Sequence, residues 1–484
     1  MFRVLCLLGI IGISSMGSYG YNGNVTEFES DDMVTSAIQK KKDNRIPDLS
    51  EIWNRKEQVE RSILRTQFPD REFNILEYGV SAGEDASDAI HKAIAECHEQ
   101  GGGKVVIPSG VFYTKAIHLL SNVNLHLEEG AVLKFSTDPK DYFPAVVTRW
   151  EGVDCNAQSP LIYAKGQTNI AVTGKGILDG QASKENWWGK RARTSAENKK
   201  LGKFMGKEKL QYCEQNRIPL EKRVFDEGDE LRPQFIQFYQ CDRILIEGVT
   251  LNNAPFWLLH PLLSKNIVVS GVTLDSHGPN NDGCDPESCE NVLIENCVFN
   301  TGDDCIAIKS GKNNDGRAWN IPSKNIIVRN CTMKDGHAAV ASGSEISGSC
   351  YNVWMEDCVV GSAGMDRPFR AKSNALRGGT VDGFYVRNIK ISECKQAVLK
   401  LELKYEKVLS GDYYPFFTDI VLQDVTCGKS RYGIWVDGLT DHSCVGTILL
   451  EDCHFDGITE PVVNNIVGVR TLIFNDSTFN GVTM

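Results

Sequence analysis

One phrase, restated down most of the chain, constrains the fold more than any other feature. A short alternating apolar strand runs into an Asn, Asp or Gly turn and then into a second apolar strand. Copies begin at Asn169 (NIAVTGKGILDG), Arg243 (RILIEGVTL), Asn266 (NIVVSGVTL), Asn291 (NVLIENCVF), Asn325 (NIIVRNCTM), Asn352 (NVWMEDCVV), Gly383 (GFYVRNIKI), Asp419 (DIVLQDVTC), Thr447 (TILLEDCHF) and Thr471 (TLIFNDSTF). From Arg243 onward the copies start 23 to 36 residues apart. Irregular strand repeats of this size, with no helical pattern between them, fit a parallel β-helix in which each coil packs on the next. A propeller would need about four strands per ~40-residue repeat, and a leucine-rich repeat would need a Leu/Asn signature that is absent. Each coil is expected to bury Val, Ile, Leu and Cys inward, which makes the core a column.

The same slot holds four of the 16 cysteines. Cys297, Cys331, Cys358 and Cys453 each follow an acidic or Asn residue at one position of the phrase, so they are expected to stack as small apolar groups. No CxxC pair exists, and zinc ligation is not expected. Bridges between Cys284 and Cys289, or from Cys350 to a loop partner, remain open.

Residues 1–20 combine Arg3, an apolar run from Val4 to Ile13 and small residues up to Gly20, the pattern of an export signal peptide. The run is too short to span a bilayer. A secreted or periplasmic monomer, with no membrane partner, is the expectation. Residues 21–67 read as a polar linker and a short helix, the latter from the spacing of Leu49, Ile52, Trp53, Val59 and Ile63. Residues 68–484 then form the all-β solenoid, and the helical period from Asp88 to Cys97 is expected to cap its open end. A charged stretch from Trp187 to about Arg232 interrupts the phrase and reads as a surface insertion. The net charge of −11 argues against nucleic acid as partner and opposes any polyanionic substrate. An acidic substrate would need a local cluster of Arg and Lys.

Asp282, Asp303 and Asp304 supply the chemistry. They lie in Asn280-Asn281-Asp282-Gly283-Cys284-Asp285 and in Gly302-Asp303-Asp304-Cys305-Ile306-Ala307-Ile308-Lys309, with 303 − 282 = 21 positions between the first two acids. In a chain with coils of that length the offset stacks the carboxylates on one face, with strands roughly 4.8 Å apart. Crowded carboxylates push one pKa up, and an acid beside ionised bases is what hydrolysis of a glycosidic bond requires. Taken alone, one Asp-Asp pair would be read as a solvated acidic turn or a calcium loop.

Four ordered motifs make the chain resemble the polygalacturonase-type enzymes of glycoside hydrolase family 28 over residues 70–484. The family's Asn-Thr-Asp, Asp-Asp, Gly-His-Gly and Arg-Ile-Lys correspond here to Asn280-Asn281-Asp282, Asp303-Asp304, Gly336-His337-Ala338 and Arg370-Ala371-Lys372. Three positions depart from the pattern, but every ionisable member is present. The resemblance implies a right-handed, pectin-lyase-like solenoid that hydrolyses α-1,4-galacturonosidic bonds of pectic polysaccharide with inversion, with neither cofactor nor metal. It makes Asp303 the general acid, gives Asp282 and Asp304 the attacking water, and lets His337 tune the acid. Inversion would require the carboxylates to stand roughly 6.5–9.5 Å apart.

Arg370 and Lys372 would point to one side of an extended strand and suit recognition of a substrate carboxylate. Asn280, Lys309 and Tyr405 are further substrate-binding candidates, Tyr405 as a sugar platform or as a packed strand-end ring. Trp150, Trp187, Trp188 and Trp257 read first as packing residues. Long insertions at about 189–232 and 311–323, with Arg191, Arg193, Lys312 and Arg317, suggest a cleft closed at one end and release of single sugars. Relatives on this fold cleave rhamnogalacturonan, xylogalacturonan or rhamnosides, and the fold alone leaves these open. A calcium-dependent pectate lyase is disfavoured by the Gly-His and Arg-x-Lys segments. A noncatalytic glycan-binding solenoid is the alternative from another class.

Overall fold

Eight of the ten copies of the phrase open on a residue turned into the left-handed region of the backbone. Asn169, Asn266, Asn291, Asn325 and Asn352 have φ between 55° and 61°, and Arg243 and Asp419 follow at 56° and 51°. Asn tolerates this conformation better than most residues, because its short amide bonds locally. The side chains then link coil to coil. Asn325 Nδ2 donates to Asn291 Oδ1 at 3.0 Å, and Asn352 Nδ2 donates to Asn325 Oδ1 at 3.2 Å. The second turn of the phrase repeats the device at Gly248, Gly271, Asn296, Asn330, Asp357, Asn388, Asp424 and Asp452, all with positive φ. The sequence pattern is thus a record of two bends per coil.

In the computed structural model, which describes residues 46–189, 206–440, 442–460, 463–464 and 466–484, these bends stack strands in parallel register. The expected signal peptide, most of the linker, and Arg191 and Arg193 lie outside the described residues. Strand Lys265–Ser270 pairs with Glu290–Glu295, and Glu290–Glu295 with Ser323–Arg329, so that Ile267, Val292 and Ile326 share one inward rung. A second strand per coil, such as Thr273–Ser276 beside Val298–Thr301, continues the same 23-stranded sheet. A third strand per coil builds a separate face. Ile117–His118, Ile162–Lys165, Ile236–Tyr239 and Leu259–Leu262 form one sheet of it, and Ile306–Ile308, Val340–Ser342, Phe369–Lys372, Ala397–Glu402, Tyr432–Asp437 and Val463–Asn464 form another. Between them Cys284 bridges Leu259 to Ile306, and Glu287 bridges Leu262 to Lys309. The candidate acids sit at this seam.

The core is the expected column, running from Phe73 to Phe479. Cys297, Cys331, Cys358 and Cys453 lie within it, and all 15 described cysteines are buried free thiols, so the open bridges at Cys284, Cys289 and Cys350 are not formed. Helix Ser87–Glu99 buries Ala89, Ile90, Ala93, Ile94 and Cys97 against the first strands and closes that end. Among the described residues no helix is long and apolar enough to cross a membrane.

Helix Leu49–Ser62 has a different task. The first strand of each coil also points one apolar residue outward: Val268, Leu293, Ile327, Trp354, Tyr385, Val421 and Leu449 stand in one paired row. Ile52, Trp53 and Ile63 cover that row as a second apolar cluster. The helix is fastened by Trp53 Nε1 to Gln423 Oε1 at 2.8 Å, by Lys56 Nζ to Glu356 Oε1 at 2.6 Å, and by Arg329 to Glu60 at 2.8 Å.

Candidate active site

The turn between the second and third strands brings the acids together. Asp303 and Asp304 precede strand Ile306–Ile308, while Asp282 precedes Cys284, the residue aligned with Ile306 one coil earlier. One coil here is 306 − 284 = 22 residues, so Asp282 is level with Asp304 and Asp303 stands one position before it, within a residue of the spacing read in the sequence. His337 comes from the following coil, and its Nδ1 lies 2.8 Å from Asp303 Oδ1 while its backbone N–H donates to Asp303 O at 2.9 Å. Gly336 makes this approach possible. A Cβ there would stand 2.8 Å from both Asp303 O and Cys305 Sγ.

Arg370 and Lys372 lie on strand Phe369–Lys372, with Ala371 between them turned into the core. Lys372 Nζ donates to Asp304 Oδ2 at 2.8 Å. Arg370 Nη2 donates to Glu402 Oε2 at 2.6 Å, and both cations approach the Tyr405 ring at 5.6 Å. These expected residues thus converge. Lys309 is more enclosed than a substrate contact would be: its ammonium lies 3.7 Å from Asp282, 3.9 Å from Asp285 and 3.6 Å from Glu345, against the Trp257 ring. Asn280 accepts from Arg232 Nη2 at 2.9 Å on the rim. Its neighbour Asn281 is the buried member, stapling the turn through bonds from Ser276 Oγ and Gly278 N and to Ala254 O and Phe256 O.

Electrostatics divide the three acids. Burial works to raise the Asp303 pKa, but the hydrogen bond from His337 and the charges of Lys372, His337 and Lys309 outweigh it and hold the carboxyl at about 2. The same bond raises His337 above its ordinary 6.5, against the effect of burial. Asp282 goes the other way, pushed well up by burial and then by the charges of Asp285 and Asp303. The crowded group with the raised pKa is therefore Asp282, and the imidazole is what exempts Asp303.

Asp303, Asp304 and His337 each bring one ligand-type atom within 4.8 Å of the others, a grouping a metal ion could use. The protein already supplies their counter-charges, through Lys372 on Asp304 and through the imidazole on Asp303.

Besides the two insertions read from the sequence, a wall that no motif signalled flanks the cleft. Hairpin Val146–Trp150 and Val153–Ala157 stands beside it, locked by buried Arg149, which binds Asp154 at 2.7 Å and Glu287 at 3.1 Å. Glu287 also meets His260 Nε2 at 2.9 Å. Gly152 O at the tip accepts from Lys312 N at 3.0 Å, and Arg223 pairs with Asp315 behind it. Helix Gly206–Gln215, the described part of the insertion, packs Leu210 and Cys213 on the hairpin's Trp150, Val153 and Cys155. Trp150 and Trp257 are packing residues of that cluster, and Trp187 belongs to the column. Asp285 ends the first acidic segment and Glu287 stands two positions beyond it, and both could have been found by their alternation after Cys284. Arg149 carried no such signal.

A parallel β-helix carrying an acid cluster and basic residues on one outer face defines a class of carbohydrate-active solenoids. Within it the chain belongs to the glycosyl hydrolases family 28, whose model matches residues 221–457. The exopolygalacturonase of Thermotoga maritima is 34% identical, with a TM-score of 0.83 over 90% of this chain and 97% of that one. A probable polygalacturonase of Vitis vinifera is 31% identical over 66% of this chain and 60% of its own length. An exo-poly-α-D-galacturonosidase of Dickeya chrysanthemi is 28% identical over 74% and 62%. The chain thus spans about three fifths of these two curated relatives.

Proposed function

We propose that the protein hydrolyses α-1,4-galacturonosidic bonds of pectic polysaccharide with inversion, releasing sugars from a chain end. The observation that carries this reading is the Asp303–His337 pair beside Asp304–Lys372, with Arg370 two strands away on the same face. In the free protein the pair's proton rests on His337. A sugar entering the cleft removes water from the pair, which disfavours the charged form and moves the proton towards Asp303, facing the leaving oxygen. Asp303 acts as general acid, and His337 positions and supplies its proton.

Asp282 and Asp304 hold the attacking water. Asp304 Oδ1 is buried without a protein partner, which suits that role. Negative charge on Asp303 is one cause of the raised Asp282 pKa, so protonating Asp303 makes it easier for Asp282 to release its own proton to solvent and then accept one from the attacking water, as the base beside Lys309. Acid and base are coupled through their charges. Arg370 and Tyr405 receive the substrate carboxylate and sugar ring, and Lys372 orients Asp304. Lys309 acts on the acids from behind, and Asn280, held by Arg232, is a substrate contact on the rim.

Action at a chain end is supported by the hairpin tip. Gly152 touches Lys312, and a Cβ on it would come within 3.0 Å of Glu345, which itself neighbours Lys309. A wall so close to the acids leaves little room for polymer on that side. Reducing ends and viscosity should be followed together on polygalacturonate, with and without a chelator. The expected result is mainly monomer with slowly falling viscosity, unchanged by the chelator. Mixed oligomers with a rapid viscosity drop would overturn the end-acting part, chelator-sensitive release of unsaturated products would mean a lyase, and a silent assay would remove the galacturonide reading.

A further inference from the structure

Arg377 plays no part in the scheme above, yet it forms a side of the same cleft. It follows Lys372 by five positions, in the loop after strand Phe369–Lys372, and is 2% exposed. Its guanidinium approaches the Tyr405 ring at 5.3 Å, the ring that Arg370 and Lys372 also approach. Three cations thus converge on one aromatic face. Arg377 Nε and Nη1 are buried without a hydrogen-bond partner, a costly state for charged donors unless something arrives to accept from them.

The acceptor it does have is poorly anchored. Arg377 Nη2 donates to Glu406 Oε2 at 3.2 Å, and the Glu406 side chain is 54% exposed. Glu406 and Lys407 have φ of 57° and 59°, a conformation that side-chain-bearing residues seldom adopt. The other nearby carboxylate, Glu345, lies 3.9 Å away and is committed to Lys309 and to the Ser344 hydroxyl. A polymer of sugar acids carries a carboxylate on every residue, so a cleft that admits more than one sugar needs more than one cationic fork.

We infer that Arg377 is a second carboxylate-binding residue of the cleft, reading a uronate next to the one held by Arg370, and that Glu406 occupies its guanidinium until the sugar acid displaces it. The inference rests on the galacturonide reading. A guanidinium suits the role because its planar donors match a carboxylate, and because exchanging one carboxylate for another leaves its charge satisfied throughout.

Steady-state kinetics on oligogalacturonides test it with R377Q, E406Q and the double variant. R377Q should raise KM about tenfold or more with kcat held within about threefold, the loss expected for one charge-assisted contact. E406Q should lower KM about two- to fivefold, since it removes an exposed competing carboxylate. The double variant should match R377Q, because Glu406 acts only through Arg377. An unchanged KM in R377Q, an E406Q variant whose KM is unchanged or raised, or effects that simply add would each overturn the inference. If R377Q fails to fold, the direction of the E406Q effect decides alone. Wild-type protein inactive on oligogalacturonides would instead sink the underlying galacturonide reading.

Discussion

The 2.8 Å bond between Asp303 and His337 ties the titration of one to the other. Asp303→Asn keeps the volume and removes the donated proton, so turnover should fall by about 10²- to 10⁴-fold while substrate Kd changes little. Retention of more than half the wild-type turnover would reassign the acid. The pair also has a stability signature. Asp303 is depressed to about 2 from 3.8, so its contribution is present above 3.8 and fades as pH falls towards 2. His337 is raised above 6.5, so its contribution is full below 6.5 and is lost as pH rises through the higher value. The Tm difference between wild type and His337→Gln should therefore be largest between 3.8 and 6.5 and narrow on both sides. His337 is 47% exposed, so solvent screening keeps the difference small, and its shape is the test. A difference that stays the same below 3.8 and well above 6.5 would mean that the pair is not coupled.

The elements that position these groups can be tested by changing backbone and leaving the acids alone. Gly336→Ala would drive a methyl against Asp303 O and Cys305 Sγ, each 2.8 Å away. Relief of that overlap should cost about 1–3 kcal/mol of stability and pull His337 away from Asp303. Activity should drop at least tenfold, on the order of a lost general-acid partner, in protein whose circular dichroism is unchanged. The hairpin Val146–Ala157 offers the complementary experiment. Its two strands are held by Arg149 on Glu287, and its tip by Lys312 on Gly152. Deleting the residue pair Trp150 and Val153, on either side of the two-residue turn Glu151-Gly152, should retract the tip without touching the acids. Products should shift from monomer towards mixed oligomers, with faster loss of viscosity per bond cleaved. An unaltered product profile would show that another element closes the cleft.

At the scale of the molecule the column is stabilised from outside as well as from within. Trp53 lies over the outward apolar row, with Arg387 3.9 Å above its ring and a hydrogen bond to Gln423. Trp53→Ala should cost about 3 kcal/mol in a denaturant titration, the scale of large-to-small changes at buried aromatics. It should leave kcat on short substrates unchanged, because the helix touches a different face of the column. A loss below about 1 kcal/mol would mean that the row is protected by other contacts. Nearest-neighbour stacking predicts that such damage spreads only to adjoining coils, so the transition should broaden as the midpoint falls.

Much was already present in the chain's local spelling. The Asn that opens half of the phrases marks a left-handed bend, the alternation that follows marks a strand, and the recurrence marks a coil, because each depends on a few neighbouring residues and on the coil before. The 21-position offset between Asp282 and Asp303 was legible for the same reason, and the motif order carried Asp304, His337, Arg370 and Lys372 to one face. What escaped the sequence depends on chain paths that no local pattern encodes. Arg149 meets Glu287 across 138 positions, and Lys56 meets Glu356 across 300. Which carboxyl is pushed up and which is held down was equally illegible, since Asp282 and Asp303 are spelled alike. Burial beside other acids raises one, and an imidazole delivered from the next coil lowers the other. Periodicity is a local property, so the sequence by itself determined the column and the face on which the acids stand. Desolvation and charge pairing are properties of the packed whole, so only the tertiary structure decided their protonation, the wall of the cleft and the helix that fastens the coils.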